Sequence, residues 1–166
     1  MTAPAIIRRE AAAARTRAGA ASADLAARTV EGIASTFAET SGPGGHALDP
    51  AGADLSRLVG GPFLDNHRAA STRDILGVIE KAEIAREGLI FRARLRDNEA
   101  ADAVLRSIAD GTIRGVSVGY TVQAWREERR GRGVRRIAAR WTPLEISAVA
   151  IPADAAARFR QLRRTT

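Results

Sequence analysis

Apolar residues recur along the middle of the chain mostly at a period of two, the spacing of strands with one buried face. TVEGIASTFAE predicts a first strand anchored by Val30, Ile33 and Phe37. DILGVIEKAEIAREGLIFRARLRD predicts two strands joined near REG, where Gly88 can take a positive φ. In IRGVSVGYTV, Val116, Val118, Tyr120 and Val122 fall on one face, and Gly115, Ser117, Gly119 and Thr121 on the other. TPLEISAVAIP predicts a last strand closed by Pro152. One segment changes period. In DNEAADAVLRSIADGTI, Ala101, Val104, Leu105 and Ile108 form a helical stripe, with Asp97 or Asn98 as cap and Gly111 as stop. ADAAARFRQLRR predicts a terminal helix capped by Asp154.

Strands dominate, and the βαβ alternation of a doubly wound parallel sheet is missing. The expected class is therefore α+β, mainly β: a closed or strongly bent antiparallel β-barrel with a few attached helices. Gly, Pro and Asp make TSGPGGHALDPAGAD a loop, in which His46 reads as a solvated side chain. AWREERRGRGVRRIAARW predicts a charged hairpin turning at RGRG, its arginines solvated. Residues 1–27 are an Ala/Arg-rich extension, read as a frayed helix or a disordered segment, and residues 28–166 as the folded domain. The extension shares only an Arg-rich, acid-poor composition with organelle transit peptides.

Composition narrows the chemistry. The 166 residues suffice for one domain with a core. With no cysteine there is no thiol nucleophile and no disulfide, and two histidines, His46 and His67, argue against a histidine-rich metal site. No apolar run approaches the length of a membrane span, and no secretory segment opens the chain, so a cytoplasmic protein without cofactor is expected. The net charge of +7 permits acidic partners or nucleic acid, yet REERRGRGVRR interleaves no aromatic residue for stacking on bases, which disfavours a specific nucleic-acid ligand.

A lone hydroxyl between two glycines then needs a reason. Glycine within a strand packs nothing, so Gly115 and Gly119 imply close approach of another backbone to Ser117; a bulge with an incidental serine is the plainer reading. Serine becomes a nucleophile only beside a base. His67 in GGPFLDNHRAAS is the better candidate, His46 the worse. A carboxylate is needed to hold the imidazole tautomer. Glu145 lies in an apolar strand where an unpaired charge is costly, and Asp65 lies two residues before His67. Both remain open on the residues alone.

FLDNH, GTIRGVSVGY and WTPLEISAVAIPAD together resemble the signature blocks of the prohead maturation proteases of tailed phages, over roughly Val30 to Ala157. Those are serine proteases whose fold is similar to the herpesvirus assemblins. The resemblance implies Ser117 as nucleophile, His67 as general base and Glu145 as third member, with Gly115 and Gly119 leaving room for a substrate strand. It implies cleavage of the major capsid protein and a scaffold segment inside the assembling prohead in the bacterial cytoplasm, together with self-processing. A non-catalytic capsid-assembly or scaffold module of the same fold is the alternative. Homo-oligomerisation is open, and the Arg-rich segment before Trp141 is a candidate source of oxyanion donors.

Overall fold

In the computed structural model, which describes residues 23–40 and 45–160, the period-two segments become one sheet that closes on itself. The strands are β1 (Ala23–Asp24), β2 (Thr29–Ser35), β3 (Ala47–Leu48), β4 (Pro62–Asp65), β5 (Ile75–Ala85), β6 (Gly88–Leu95), β7 (Gly115–Arg130), β8 (Gly133–Val149) and β9 (Arg158–Phe159), with the helix α1 (Glu99–Ala109) between β6 and β7. Around the barrel the order is β2-β6-β5-β4-β8-β7-β9, and β9 pairs back onto β2. β1 extends the sheet beyond β2, and β3 lies against β8. The mainly-β barrel expected from the pattern is thus the fold.

The apolar face of each strand points inward. Phe63, Phe91 and Phe159 meet in the interior with ring centroids 6.2–6.3 Å apart, among Val30, Ile79, Leu89, Val116 and Ile146, all fully buried. α1 forms as its stripe predicts. Asn98 caps it, its side chain accepting from the Ala101 N–H at 2.9 Å, and Ala101, Leu105 and Ile108 are buried. Gly88 and Gly111 take positive φ where turns were expected, at +138° and +83°.

Three expectations need correction. The barrel is not wholly antiparallel, because β4 runs parallel to β8, Phe63 opposite Ile146 and Asp65 opposite Ala148. Those segments lie some eighty residues apart, so no hairpin dictates their direction and barrel closure does. The terminal helix is absent from the described residues. Asp154 accepts from the Thr36 N–H at 2.6 Å and Thr36 Oγ1 at 2.7 Å, tying the last loop to the end of β2, and Phe159 enters the core from β9. Residues 161–166 of that expected helix lie outside the described residues. Nor is His46 a solvated loop side chain. Its Nε2 lies 2.5 Å from the Tyr120 hydroxyl, and its ring meets Trp125 edge-on at 5.0 Å. Of the expected N-terminal extension, residues 1–22 lie outside the described residues, whereas Ala23 and Asp24 pair with Val30 and Thr29.

β7 and β8 continue past the barrel as a hairpin turning at Gly131. Its arginines are partly engaged: Arg126 meets Asp49 at 3.4 Å, Arg135 meets Glu39 at 3.5 Å, and Arg136 stacks 3.8 Å over the Trp125 ring. No helix among the described residues is long and apolar enough to cross a membrane.

Candidate active site

The parallel contact between β4 and β8 assembles the site. β4 ends at Asp65 and the chain turns at once, the Arg68 N–H donating to the Asp65 carbonyl at 3.0 Å. Asn66 and His67, the two central residues, both have left-handed backbones, at φ 51° and 60°. Asparagine and histidine visit this region more readily than most residues, but a non-glycine there still costs about 1–3 kcal/mol. β8 holds the turn in place. The Asn66 N–H donates to the Ala148 carbonyl at 2.8 Å, and the His67 N–H donates to Ser147 Oγ at 3.1 Å.

Register decides which side chains face this turn. Ser117 lies opposite Ser147 and Gly119 opposite Glu145, and directly opposed residues project from the same face of a sheet. Ser117, Gly119, Glu145 and Ser147 therefore share the outer face, while Val116, Val118, Ile146 and Ala148 fill the core behind them. The Glu145 carboxylate spans the group. Its Oε1 lies 2.6 Å from His67 Nδ1, and its Oε2 accepts from the Ser147 hydroxyl at 2.6 Å. The Glu145 side chain is 12% exposed and that of His67 42%. A carboxylate at Nδ1 favours the tautomer with its proton there and leaves Nε2 as the basic nitrogen. The Ser117 hydroxyl makes no hydrogen bond among the described residues, and Ser117 is 7% exposed.

The other candidates lie elsewhere. The Asp65 carboxylate pairs with the Arg68 guanidinium and not with His67. The left-handed turn is the reason, since two-residue spacing puts side chains on one face only while the backbone stays extended. His46 sits with Tyr120 and Trp125, apart from the Glu145–His67 pair. The Arg-rich segment before Trp141 is also too far along the hairpin: even Arg140, the arginine next to Trp141, pairs with Ala124, which at the rise of a strand is roughly 23 Å from Ser117. It is not a source of oxyanion donors in this arrangement.

At both glycines other parts of the chain come too close for a side chain. A Cβ on Gly119 would lie 2.1 Å from Glu145 Oε1, and one on Gly115 would lie 2.6 Å from the Val149 carbonyl and 3.0 Å from Pro152 Cδ. Ser147, fully buried, is the residue that sequence reasoning missed. Its signal was available: a second polar residue in an apolar strand, two positions from Glu145 and so on its face.

Comparison with known proteins finds phage proteins. The caudovirus prohead serine proteases match residues 21–166, nearly the whole chain. The chain is 35% identical over 104 residues to a major capsid protein of Halomonas phage phiHAP-1, covering 61% of this chain and 17% of that one. It is 28% identical over 137 residues to a capsid polyprotein of Pseudomonas phage PAJU2, covering 78% and 19%. The chain thus spans under a fifth of the length of the curated relatives it matches. No solved structure matches it.

Proposed function

Because the chain belongs to the caudovirus prohead serine protease family, we propose that it is an active serine endopeptidase, cutting capsid and scaffold segments during prohead maturation in the host cytoplasm and trimming its own ends. The observation that carries this reading is the 2.6 Å contact between Glu145 Oε1 and His67 Nδ1 on the face that also holds Ser117. A carboxylate in that position gives a neutral imidazole one role, to accept a proton at Nε2. Ser117 Oγ attacks the scissile carbonyl carbon as its proton passes to Nε2. Glu145 stabilises the imidazolium so formed. That proton then goes to the amine as the peptide C–N bond breaks, leaving an ester on Ser117. Water, deprotonated by the same imidazole, hydrolyses the ester and restores the enzyme. Hydrogen bonds of this kind tighten when substrate closes the site, so the open Ser117 hydroxyl is compatible with the mechanism.

The names of the relatives favour a second reading. Both are capsid proteins of which this chain matches a small part, so the fold could serve as a non-catalytic module of a shell. Co-expression with a capsid protein from the same source, wild type against Ser117→Ala and read by intact mass, separates the two. The protease reading expects a shortened capsid protein and trimmed termini in wild type only. Uncut capsid protein with both forms, assembled equally well, would favour the module.

A further inference from the structure

Ser147 does more than fill its place in β8. It is fully buried, and its one hydroxyl joins the two parts of the site that come from different segments. It donates to Glu145 Oε2 at 2.6 Å and accepts from the His67 N–H at 3.1 Å. A serine hydroxyl has a single proton, and here Glu145 takes it. Ser147 is therefore unsuited to attack a substrate, although it sits directly across from Ser117.

The consequence concerns aim. A carboxylate on a glutamate side chain rotates broadly about its last torsion unless both oxygens are held. Oε1 meets His67, and Oε2 is fixed by Ser147. The imidazole is reached through a turn whose left-handed φ of 60° at His67 is costly and must be held by its surroundings. The Ser147 oxygen supplies one of the two β8 contacts that hold it. We propose that Ser147 is a positioning residue: it locks the Glu145 carboxylate and the His67 turn to each other, and so sets the imidazole's orientation and tautomer. The consequence for rate rests on the protease reading above; the consequence for the imidazole does not.

The test combines catalysis with a signal that activity does not control. Ser147→Ala removes one oxygen and keeps the Cβ. On a peptide substrate it should lower kcat roughly 10- to 100-fold, the scale of a small misplacement of catalytic groups, with KM little changed. In a Glu145→Ala background the same substitution should cost only a few-fold, because its main partner is gone. Proton NMR of the full chain should give a downfield His67 Nδ1–H resonance in wild type and in Ser117→Ala, and a weakened or lost one in Ser147→Ala with an unchanged circular dichroism spectrum. Ser147→Cys, close in volume and a weaker donor, should fall between serine and alanine and keeps the test open if the alanine variant does not fold. A normal resonance and normal kcat in Ser147→Ala would overturn the inference, as would equal losses with and without Glu145. If Ser117→Ala still cleaves, the protease reading fails alone, and the resonance still decides the role of Ser147.

Discussion

Gly119→Ala adds a single methyl to the outer face of β7, and its cost follows from one contact. The new Cβ would lie 2.1 Å from Glu145 Oε1 and 2.9 Å from its Cδ, whereas real Cβ atoms essentially never come within 3.0 Å. Relief requires the carboxylate oxygen to move by at least about 0.9 Å, since the nearest atoms the new Cβ meets all belong to the Glu145 side chain. That displacement exceeds the whole tolerance of a hydrogen bond, which spans about 2.7–3.2 Å for a nitrogen donor. The 2.6 Å contacts of Glu145 with His67 and Ser147 are the ones exposed to it. A misplacement near 1 Å costs roughly 100-fold in rate. Stability should change far less. Loss of a hydrogen bond costs about 1 kcal/mol, and replacing glycine within a strand returns about 0.5–1 kcal/mol. The assay pairs cleavage rates on one peptide substrate with thermal melts followed by circular dichroism. In Glu145→Ala the obstructing carboxylate is absent, so adding Gly119→Ala there should neither slow cleavage further nor destabilise the fold. A Gly119→Ala variant within threefold of wild type, or one as impaired in the Glu145→Ala background as outside it, would show that the new methyl does not act through the Glu145 carboxylate.

The remaining expectations concern the other titratable groups. His67→Ala should abolish cleavage, and His46→Ala should leave it largely intact while costing about 1 kcal/mol of stability through its bond to Tyr120. An inactive His46→Ala with an active His67→Ala would move the base to the other histidine. Glu145→Gln should lower turnover roughly 100-fold or more, by analogy with the loss on neutralising a triad carboxylate, whereas Asp65→Asn should cost less than about tenfold because that carboxylate forms an exposed pair with Arg68. Burial raises the ionisation of Tyr120 above tyrosine's ordinary value of about 10. As the chain has one tyrosine, absorbance titration should read that shift directly. The folded state holds the phenol proton more tightly, so this group's stabilisation is complete below pH ~10 and is lost as pH rises through the higher folded value. A tyrosinate transition at or below that ordinary value would contradict the burial.

Local pattern was enough wherever a residue's environment depends on its near neighbours. The alternation in GVSVGYTV determined which side of β7 meets the core, and the stripe of Ala101, Leu105 and Ile108 determined the buried side of α1, because backbone geometry alone fixes those periods. Glu145 was legible for the same reason, as a charge in an apolar strand that needs a partner. Which partner it has was not a local matter. Asp65 is two residues from His67 and Glu145 is seventy-eight, yet the turn with Asn66 and His67 in left-handed backbones aims the imidazole at Glu145. That turn is held by the parallel contact of β4 with β8, which exists only once the barrel has closed. Closure likewise took Phe159 out of an expected helix, because pairing of β9 with both β2 and β7 and packing on Phe63 and Phe91 outweigh a short segment's helical preference. The chemistry-bearing residue types were thus written in the sequence, while their distances, and the service of Gly119 and Ser147 to one carboxylate, were decided by contacts between segments far apart in the chain.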